Sequence, residues 1–486
     1  MTPDLNSMIF KRKFAVNFRK NLKLHLAGMT FSSDFINGSN QSMYPVLEEE
    51  GRYTEVLKNA HYCFNPEGKA GIKRLIGQYT PYSTAEMVVE RLDGSCGFCY
   101  MTPTAKISLL MCSEGGNLSF VKVENGAQTH VAASKIFVPG MSFIVDTRKG
   151  AFDVFIKESE EVEYITSFEA PGFEDAMAYH VFTSSTVAMV AAGALELSEV
   201  SLYMDCGLTQ ADIRPIKYET GEVMIDHGKV YLTISLRQIV GCYQGIFSWI
   251  PGTCEFELVG VLFFDAGDGV WENDVASSIR YNRSTGEWYL WVCSFAHKHI
   301  LGHASMKGDP RFGVNVVDLK LMEPMAEDEE ETAFKGKEGD EDPDFYLDTR
   351  TNRWYMTICR LLRDGESLKY RYCLYYSEHP FEGYIFVDCG RQGAETGGSI
   401  VPIGDKVHFV CGSDFDKRAI YHVYEMPDFS TFEYLKCDYD DGGFRGWGTI
   451  IPCPMGTRMR YYWLTFDRYR ASDARWSYGN LYCFEA

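Results

Sequence analysis

A chain of 486 residues with 45% hydrophobic and 14% aromatic side chains is too long for one ordinary core, and apolar enough to bury more than one. Its formal charge of −20 argues against a nucleic-acid partner, because affinity for a phosphate backbone rests on clustered Lys and Arg. No stretch reaches membrane-spanning length, residues 1–14 are basic without an apolar run, and the 15 cysteines are scattered through apolar segments, so a cytoplasmic protein with reduced thiols and no membrane partner is expected.

Residues 1–40 carry the basic groups Lys11, Arg12, Lys13, Arg19 and Lys20 and are either an extension or a first strand, left unassigned. From residue 42 to 202, short alternating runs (85–91, 97–101, 107–112, 118–123, 129–137, 142–146, 152–156, 164–168 and 178–190) are separated by polar turns. That spacing predicts an antiparallel β-sandwich over residues 1–205. The pair of runs joined through residues 147–150 resembles the central hairpin of concanavalin-like jelly rolls. Acid, base and nucleophile are nowhere clustered in this half, and its simplest role is to buttress the C-terminal half of the chain.

At residue 206 the pattern changes. A run containing Asp212 leads through Asp226-His227-Gly228 into the alternating strand of Tyr231, an Asp-Gly-type hairpin signal. The same grammar returns four times, around Tyr289, Tyr355, Phe409 and Tyr462, at steps of 58, 66, 54 and 53 residues. Sheet-only repeats of this length are propeller blades, so residues 206–486 are expected to form a five-bladed β-propeller, with residues 239–250 and 254–264 as outer strands of the first blade and the end of the chain as the last strand of the fifth.

Each blade's first strand lines the central channel, so residues that open the repeats converge although they are far apart in sequence. The openings hold Asp212, Asp274, Glu341 with Asp342 and Asp344, Glu395, and the Arg445-Gly446-Trp447 segment. Carboxylates crowded in a partly buried site raise one another's pKa, so one stays protonated as an acid while another is ionised as a base, the requirement of glycoside hydrolysis. The alternative is that these are turn residues, for which Asp is favoured on backbone grounds.

The 206–486 half resembles the five-bladed propeller glycoside hydrolases of the arabinofuranosidase/xylosidase type (family 43) and their β-fructosidase relatives, over roughly 60% of the chain. In that family the first blade opens with an Asp-Pro-containing motif, to which the interrupted Asp212-Ile-Arg-Pro215 is similar; the second with an Asp, matched by Asp274; and the third with Glu-Gly-Pro or Glu-Cys-Pro, matched by Glu341-Asp342-Pro343. The resemblance implies Asp212 as general base or nucleophile, Asp274 as the group that orients and tunes the acid, Glu341 as general acid, an oligosaccharide substrate, no cofactor, and inversion of configuration. The familiar order of domains, propeller first, is reversed here.

Arg214 and Arg445 are candidates to bind the sugar or keep Asp212 ionised, with structural pairing between blades as the alternative. Trp271 and Trp447 are candidate stacking platforms, with core packing as the alternative. His297, His299 and His303 are read as a loop between outer strands and not as a metal site, and the acidic run 327–331 as a solvated loop. The leading reading is a glycosidase acting on terminal furanoside, pentoside or fructoside residues, with a homo-oligomer allowed. A carbohydrate-binding propeller without catalysis is the second reading, and a glycoside phosphorylase the third.

Overall fold

The computed structural model describes residues 4–322, 337–364, 367–390, 395–413, 420–437, 444–467 and 480–486. Nearly all secondary structure is β-strand, and the chain divides into two compact units. One comprises Met1–Leu22, Cys206–Asp268 and Glu272–Ala486; the other comprises Lys23–Asp205 and Gly269–Trp271. The division after residue 205 therefore agrees with the change of pattern in the sequence, but residues 1–22 belong to the C-terminal unit and residues 269–271 to the N-terminal one.

The C-terminal unit is a five-bladed β-propeller. Blade I opens with Thr209–Pro215 and continues through Lys229–Arg237, Cys242–Trp249 and Phe256–Asp265, with Gly313–Asp318 added in parallel at its edge. Blade II runs Val275–Asn282, Glu287–Ser294, Ile300–Met306 and Lys320–Leu321. Blade III is Lys337–Asp348, Arg353–Asp364, Ser367–Ser377 and Ile385–Cys389, and blade IV is Glu395–Ile403, Lys406–Ser413, Ile420–Glu425 and Phe432–Tyr434. Blade V is made from both ends of the chain: Phe444–Met455, Arg458–Asp467 and Leu481–Glu485 pair in turn, and Ile9–Val16 pairs antiparallel with Leu481–Glu485 as the outer strand. The opening strands of successive blades lie side by side in cyclic order, the fifth returning to the first.

The aromatics that mark the repeat sit between blades. Tyr231 is in the apolar cluster shared by blades I and II, Tyr289 in that of II and III, and Tyr355 and Phe409 in that of III and IV. Tyr462 meets Trp249 of blade I edge-on at 5.5 Å. A blade has two faces to cover and its neighbours cover both, so the period of large apolar groups follows the blades.

Along the axis the packing is polar and paired. Asp344, wholly buried in blade III, accepts from Ser278 of blade II (2.5 Å), from the Ile400 N–H of blade IV (2.7 Å) and from Arg280 of blade II. Lys217, also buried, donates to Asp344 (3.2 Å), to Ser399 (3.2 Å) and to the Ile400 carbonyl (2.5 Å), while Ser399 reaches Thr449 of blade V at 2.9 Å. The cations Arg280, Lys217 and Arg214 overcome the cost of burial and hold the Asp344 carboxyl below its ordinary range.

In the N-terminal unit the strands form one hydrogen-bonded antiparallel sheet of 11. Its long strands Thr84–Met101 and Thr186–Asp205 pair along most of their length, and Thr84–Met101 takes Met141–Arg148 as its other neighbour over residues 84–89 but Lys106–Glu114 over residues 94–101. The sheet thereby folds back on itself, and Phe120 and Phe98 stack on Phe143 (5.9 and 6.0 Å) although Phe120 lies on a strand that does not adjoin that of Phe143. The bend is at Gly94 and Gly193, paired directly across the ladder with φ of 123° and 111°. A Cβ on Gly193 would lie 2.2 Å from the Asp93 carbonyl oxygen, so no other residue fits without moving the backbone. The expected hairpin of Met141–Arg148 and Ala151–Glu158 is present. Among the described residues no helix is long and apolar enough to cross a membrane.

Because Asp344 is the anion of a buried cluster, Asp344→Asn leaves Arg280 and Lys217 without their partner and is expected to lower propeller stability by about 3–5 kcal/mol. Urea unfolding followed by the fluorescence of the buried Trp249, Trp291 and Trp463 measures this. An unchanged midpoint contradicts the structural role given to the cluster.

Candidate active site

Every blade opens with an irregularity, a one-residue bulge in blades I to IV and a two-residue one in blade V. The ladder between first and second strands shifts register between Ala211 and Arg214 in blade I, Val275 and Ser278 in blade II, Glu341 and Asp344 in blade III, Thr396 and Ser399 in blade IV, and Arg445 and Thr449 in blade V. At these bulges Asp212, Ala276, Asp342 and Gly397 have left-handed φ of 54°, 59°, 51° and 65°. A bulge re-aims the neighbouring side chains, and a non-glycine residue held in this region stores about 1–3 kcal/mol of strain. Two of the three non-glycine residues so strained are aspartates.

Asp212, Asp274, Glu341 and Asp342 converge beside Cys293. That thiol, on the second strand of blade II, is pushed far above its ordinary range first by burial and then by Glu341, Asp342, Asp274 and Asp212 in turn. Burial pushes Asp212 up to about 6, and the Asp342 charge adds to it; Arg237, whose terminal nitrogen is 3.5 Å from the carboxylate, Ser235 and Arg214 oppose the rise. Asp274 is raised by burial against the Ala296 N–H, which donates to it at 3.3 Å, and its second oxygen is buried with no hydrogen-bond partner. Glu341 is raised by burial and by Asp342, while His299 and Arg237 hold it down; His299 Nδ1 lies 2.5 Å from its Oε1. Asp342 is fixed by the Gly397 N–H (3.0 Å) and the Thr396 hydroxyl (3.2 Å) of blade IV. The cluster thus holds carboxyl groups in unequal environments, three of which, Asp212, Asp274 and Glu341, are raised above the usual carboxylate range.

The expected trio Asp212, Asp274 and Glu341 is brought together. Arg214 is not a free ligand for sugar: it is buried, donates to the Gly398 and Ala276 carbonyls of blades IV and II (3.1 and 2.9 Å), and lies 3.6 Å from Asp342. Its strand position next to the bulge turns it into the axis, the structural pairing that was the alternative for it. Trp271 belongs to the N-terminal unit, where its N–H donates to the Met177 carbonyl and its ring meets Phe182 at 4.4 Å. The side chains of Arg445 and Trp447 lie outside the described residues, as does the acidic run 327–331. Asp344 is in the axial cluster. Glu395 is wholly buried, its carboxylate accepting from His422 (2.7 Å) and Tyr424 within blade IV.

Arg237, Phe295 and His299 were not anticipated. Arg237 ends the strand that pairs with the Asp212 strand, opposite Thr209, so the hairpin register was the available signal; its guanidinium also lies 6.0 Å from the Phe295 ring centre. The three histidines part company. His297 bonds Ser294 at 2.9 Å, His303 stacks on Phe381 at 4.7 Å and is lowered to about 4 by burial, and His299 alone reaches the carboxylates. Residues 295–298 are a turn and not a strand, so alternation gave no guide to which side each would take.

No protein-family model and no curated protein matches the chain. Among solved structures, a thermostable family-43 glycoside hydrolase is similar over 57% of this chain and 90% of its own at 12% identity and a TM-score of 0.38. The α-L-arabinofuranosidase PaAbf62A from Podospora anserina, determined with cellotriose, is similar over 58% of this chain and 91% of its own at 10% identity and a TM-score of 0.39. Bacillus subtilis levansucrase is similar over 54% and 80% at 12% identity and a TM-score of 0.38. Likenesses of this size carry no residue-level information.

The Asp212 carboxyl binds its proton more tightly in the folded chain, at about 6, than at its ordinary 3.8. Its ionisation therefore costs stability, a cost absent below pH 3.8, growing up to about 6 and full above it. Asp212→Asn removes it, so the variant is expected to be more stable than the parent at pH 8 by on the order of 2–3 kcal/mol, with the advantage vanishing towards pH 4. Thermal unfolding of both proteins across that range checks the sign.

Proposed function

We propose that the protein is a glycoside hydrolase that removes terminal sugar residues from oligosaccharides, of furanoside, pentoside or fructoside type. The observation that carries this reading is the meeting of Asp212, Asp274 and Glu341, from the openings of three different blades, in one buried cluster where burial raises all three carboxyls. The resemblance of those openings to the family-43 motifs assigns the roles. Glu341 donates a proton to the glycosidic oxygen as the bond from the anomeric carbon to that oxygen breaks. Asp212, ionised beside Arg237, takes a proton from the water that attacks the same carbon from the opposite face, giving inversion. Asp274, between them in chain order, orients the acid and adds to the field that keeps its proton in place.

The field makes this division of labour work. The carboxyls lose their protons one after another, and each ionisation raises the affinity of the rest. Asp212 has the permanent charge of Arg237 at 3.5 Å and ionises as the base, whereas Glu341, raised by burial and facing the His299 imidazole, is the acid.

The kinetic expectations separate acid from base. Both Asp212→Asn and Glu341→Gln should lower kcat on an oligosaccharide by about 10²–10⁴-fold. On a nitrophenyl glycoside, whose leaving group needs little protonation, Glu341→Gln should lose far less than Asp212→Asn. For the parent, kcat/KM should fall as pH drops through about 6, where Asp212 takes up its proton. Chromophore release across a panel of nitrophenyl furanosides and pyranosides, followed by oligosaccharide mixtures, measures this, and NMR of the first-formed anomer reports stereochemistry. Sugar binding without turnover on any of them replaces the hydrolase by a carbohydrate-binding propeller.

A further inference from the structure

Beside the carboxyl groups stand two side chains that the hydrolytic reading does not use, Cys293 and His299, and both meet Glu341. Cys293 Sγ, a ring nitrogen of His299 and a Glu341 carboxylate oxygen all lie within 4.8 Å of one another. They come from three places: the second strand of blade II, the turn after it, and the first strand of blade III. We infer that Cys293, His299 and Glu341 form a binding site for a thiophilic divalent cation of the zinc class.

The way the set is held argues for it. His299 is on a turn where both it and Lys298 are left-handed, at φ of 60° and 58°, a conformation that costs a β-carbon residue energy at each position. The turn is pinned on both sides, by the His299 N–H to the Ser294 carbonyl (3.0 Å) and by the Asp340 N–H to the His299 carbonyl (2.8 Å). Blade III meets it with Gly339, where a Cβ would lie 2.4 Å from the His299 Cβ, so glycine is what allows this approach. His299 Nδ1 is buried and out of line for a hydrogen bond despite its closeness to Glu341, and the Cys293 thiol has only a long contact, 3.6 Å, to the Asp340 carbonyl. The donor groups are thus held beside one another, the imidazole already against the Glu341 carboxylate.

The donors define the ion. One sulfur, one imidazole nitrogen and one carboxylate oxygen suit Zn²⁺ or Co²⁺, whereas Mg²⁺ and Ca²⁺ take oxygen sets. Three protein ligands leave a fourth tetrahedral position open to water. Zinc bonds of about 2.0–2.3 Å require His299 and Glu341 to separate slightly and Cys293 to close in. Binding displaces the Cys293 proton to solvent and forms a sulfur–metal bond; nothing is oxidised or reduced. Asp212, Asp274 and Asp342 surround the site and favour a dication. Where Glu341 is the acid, a consequence that rests on the proposed function, a bound ion occupies the proton donor and hydrolysis stops.

The test adds Co²⁺ alone to the full, reduced protein and follows absorption. The expected result is thiolate-to-cobalt charge transfer saturating at one equivalent and displaced by Zn²⁺. Cys293→Ser should abolish the band, and His299→Ala should weaken binding by more than about 100-fold, since loss of even an outer-shell partner costs 10–100-fold. Cys411→Ser should leave it unchanged: Cys411 lies in another Cys-His-Glu group, with His422 and Glu395, that is wholly buried and whose carboxylate already accepts from His422 and Tyr424. No thiolate band, or a band that survives Cys293→Ser, overturns the proposal. Circular dichroism of each variant establishes folding, and if Cys293→Ser does not fold, a band retained at full affinity in His299→Ala overturns it instead. The cobalt spectrum is independent of turnover, so a protein that binds the ion and cleaves no glycoside refutes only the hydrolase reading.

Discussion

The buried carboxylate of Asp344 holds the propeller to one arrangement. Five sheets packed face to face around an axis leave a channel that apolar side chains could fill in several registers. A charge there admits only geometries in which its partners are in reach, because an unpaired buried ion costs several kcal/mol. Asp344 of blade III takes its partners from blades II and IV and from Lys217 between blades I and II, and Ser399 passes the connection to Thr449 of blade V. Arg214 repeats the device one layer away, tying blade I to carbonyls of blades II and IV. Burial drives Lys217 down to about 7 even beside Asp344, so the cluster is held together by directed hydrogen bonds as much as by net attraction.

That rigidity lets the blade openings stay strained. The left-handed bulge recurs at the same place in blades I to IV, and in blade II it is occupied by Ala276, which has no chemistry to offer. The bulge is therefore architectural first, a means of turning each first strand towards the axis. Blades I and III use it a second time, to carry Asp212 and Asp342, with Glu341 beside the latter. The chemistry is an asymmetric decoration of a symmetric irregularity, and it gathers at blades I to III because those openings bring the carboxyl groups.

How far the sequence could be read depends on the range of the interactions. Tyr231, Tyr289, Tyr355, Phe409 and Tyr462 announce the blades because each covers a neighbouring blade, so the repeat is written locally in every copy. The N-terminal strand Ile9–Val16 was silent, since its partners are Leu481–Glu485 at the other end of the chain and its basic run Lys11-Arg12-Lys13 interrupts any alternation. Motif order marked Asp212, Asp274 and Glu341 as blade openings that meet, but Arg214 was not separable from a ligand: Asp-Ile-Arg-Pro places it two residues after Asp212, and only the bulge decides that it is spent on the Gly398 and Ala276 carbonyls. His299 was hidden for the opposite reason. Its turn has no period, and the glycine that admits it, Gly339, is on the next blade.

The carboxyl cluster gathers four groups, Asp212, Asp274, Glu341 and Asp342, against the guanidinium groups of Arg214 and Arg237. Such an excess of negative charge in a buried place is not stable as fully ionised groups, and there are two ways to relieve it. One is to retain a proton, which burial and the Asp342 charge favour at both Asp212 and Glu341. The other is to admit a dication, and the softer donors that would fix one, Cys293 and His299, stand beside the Glu341 carboxylate. Proton and metal therefore compete for a single oxygen. A site built to keep an acid protonated is for that reason a site that attracts a cation, and the thiol and imidazole determine which cation it is.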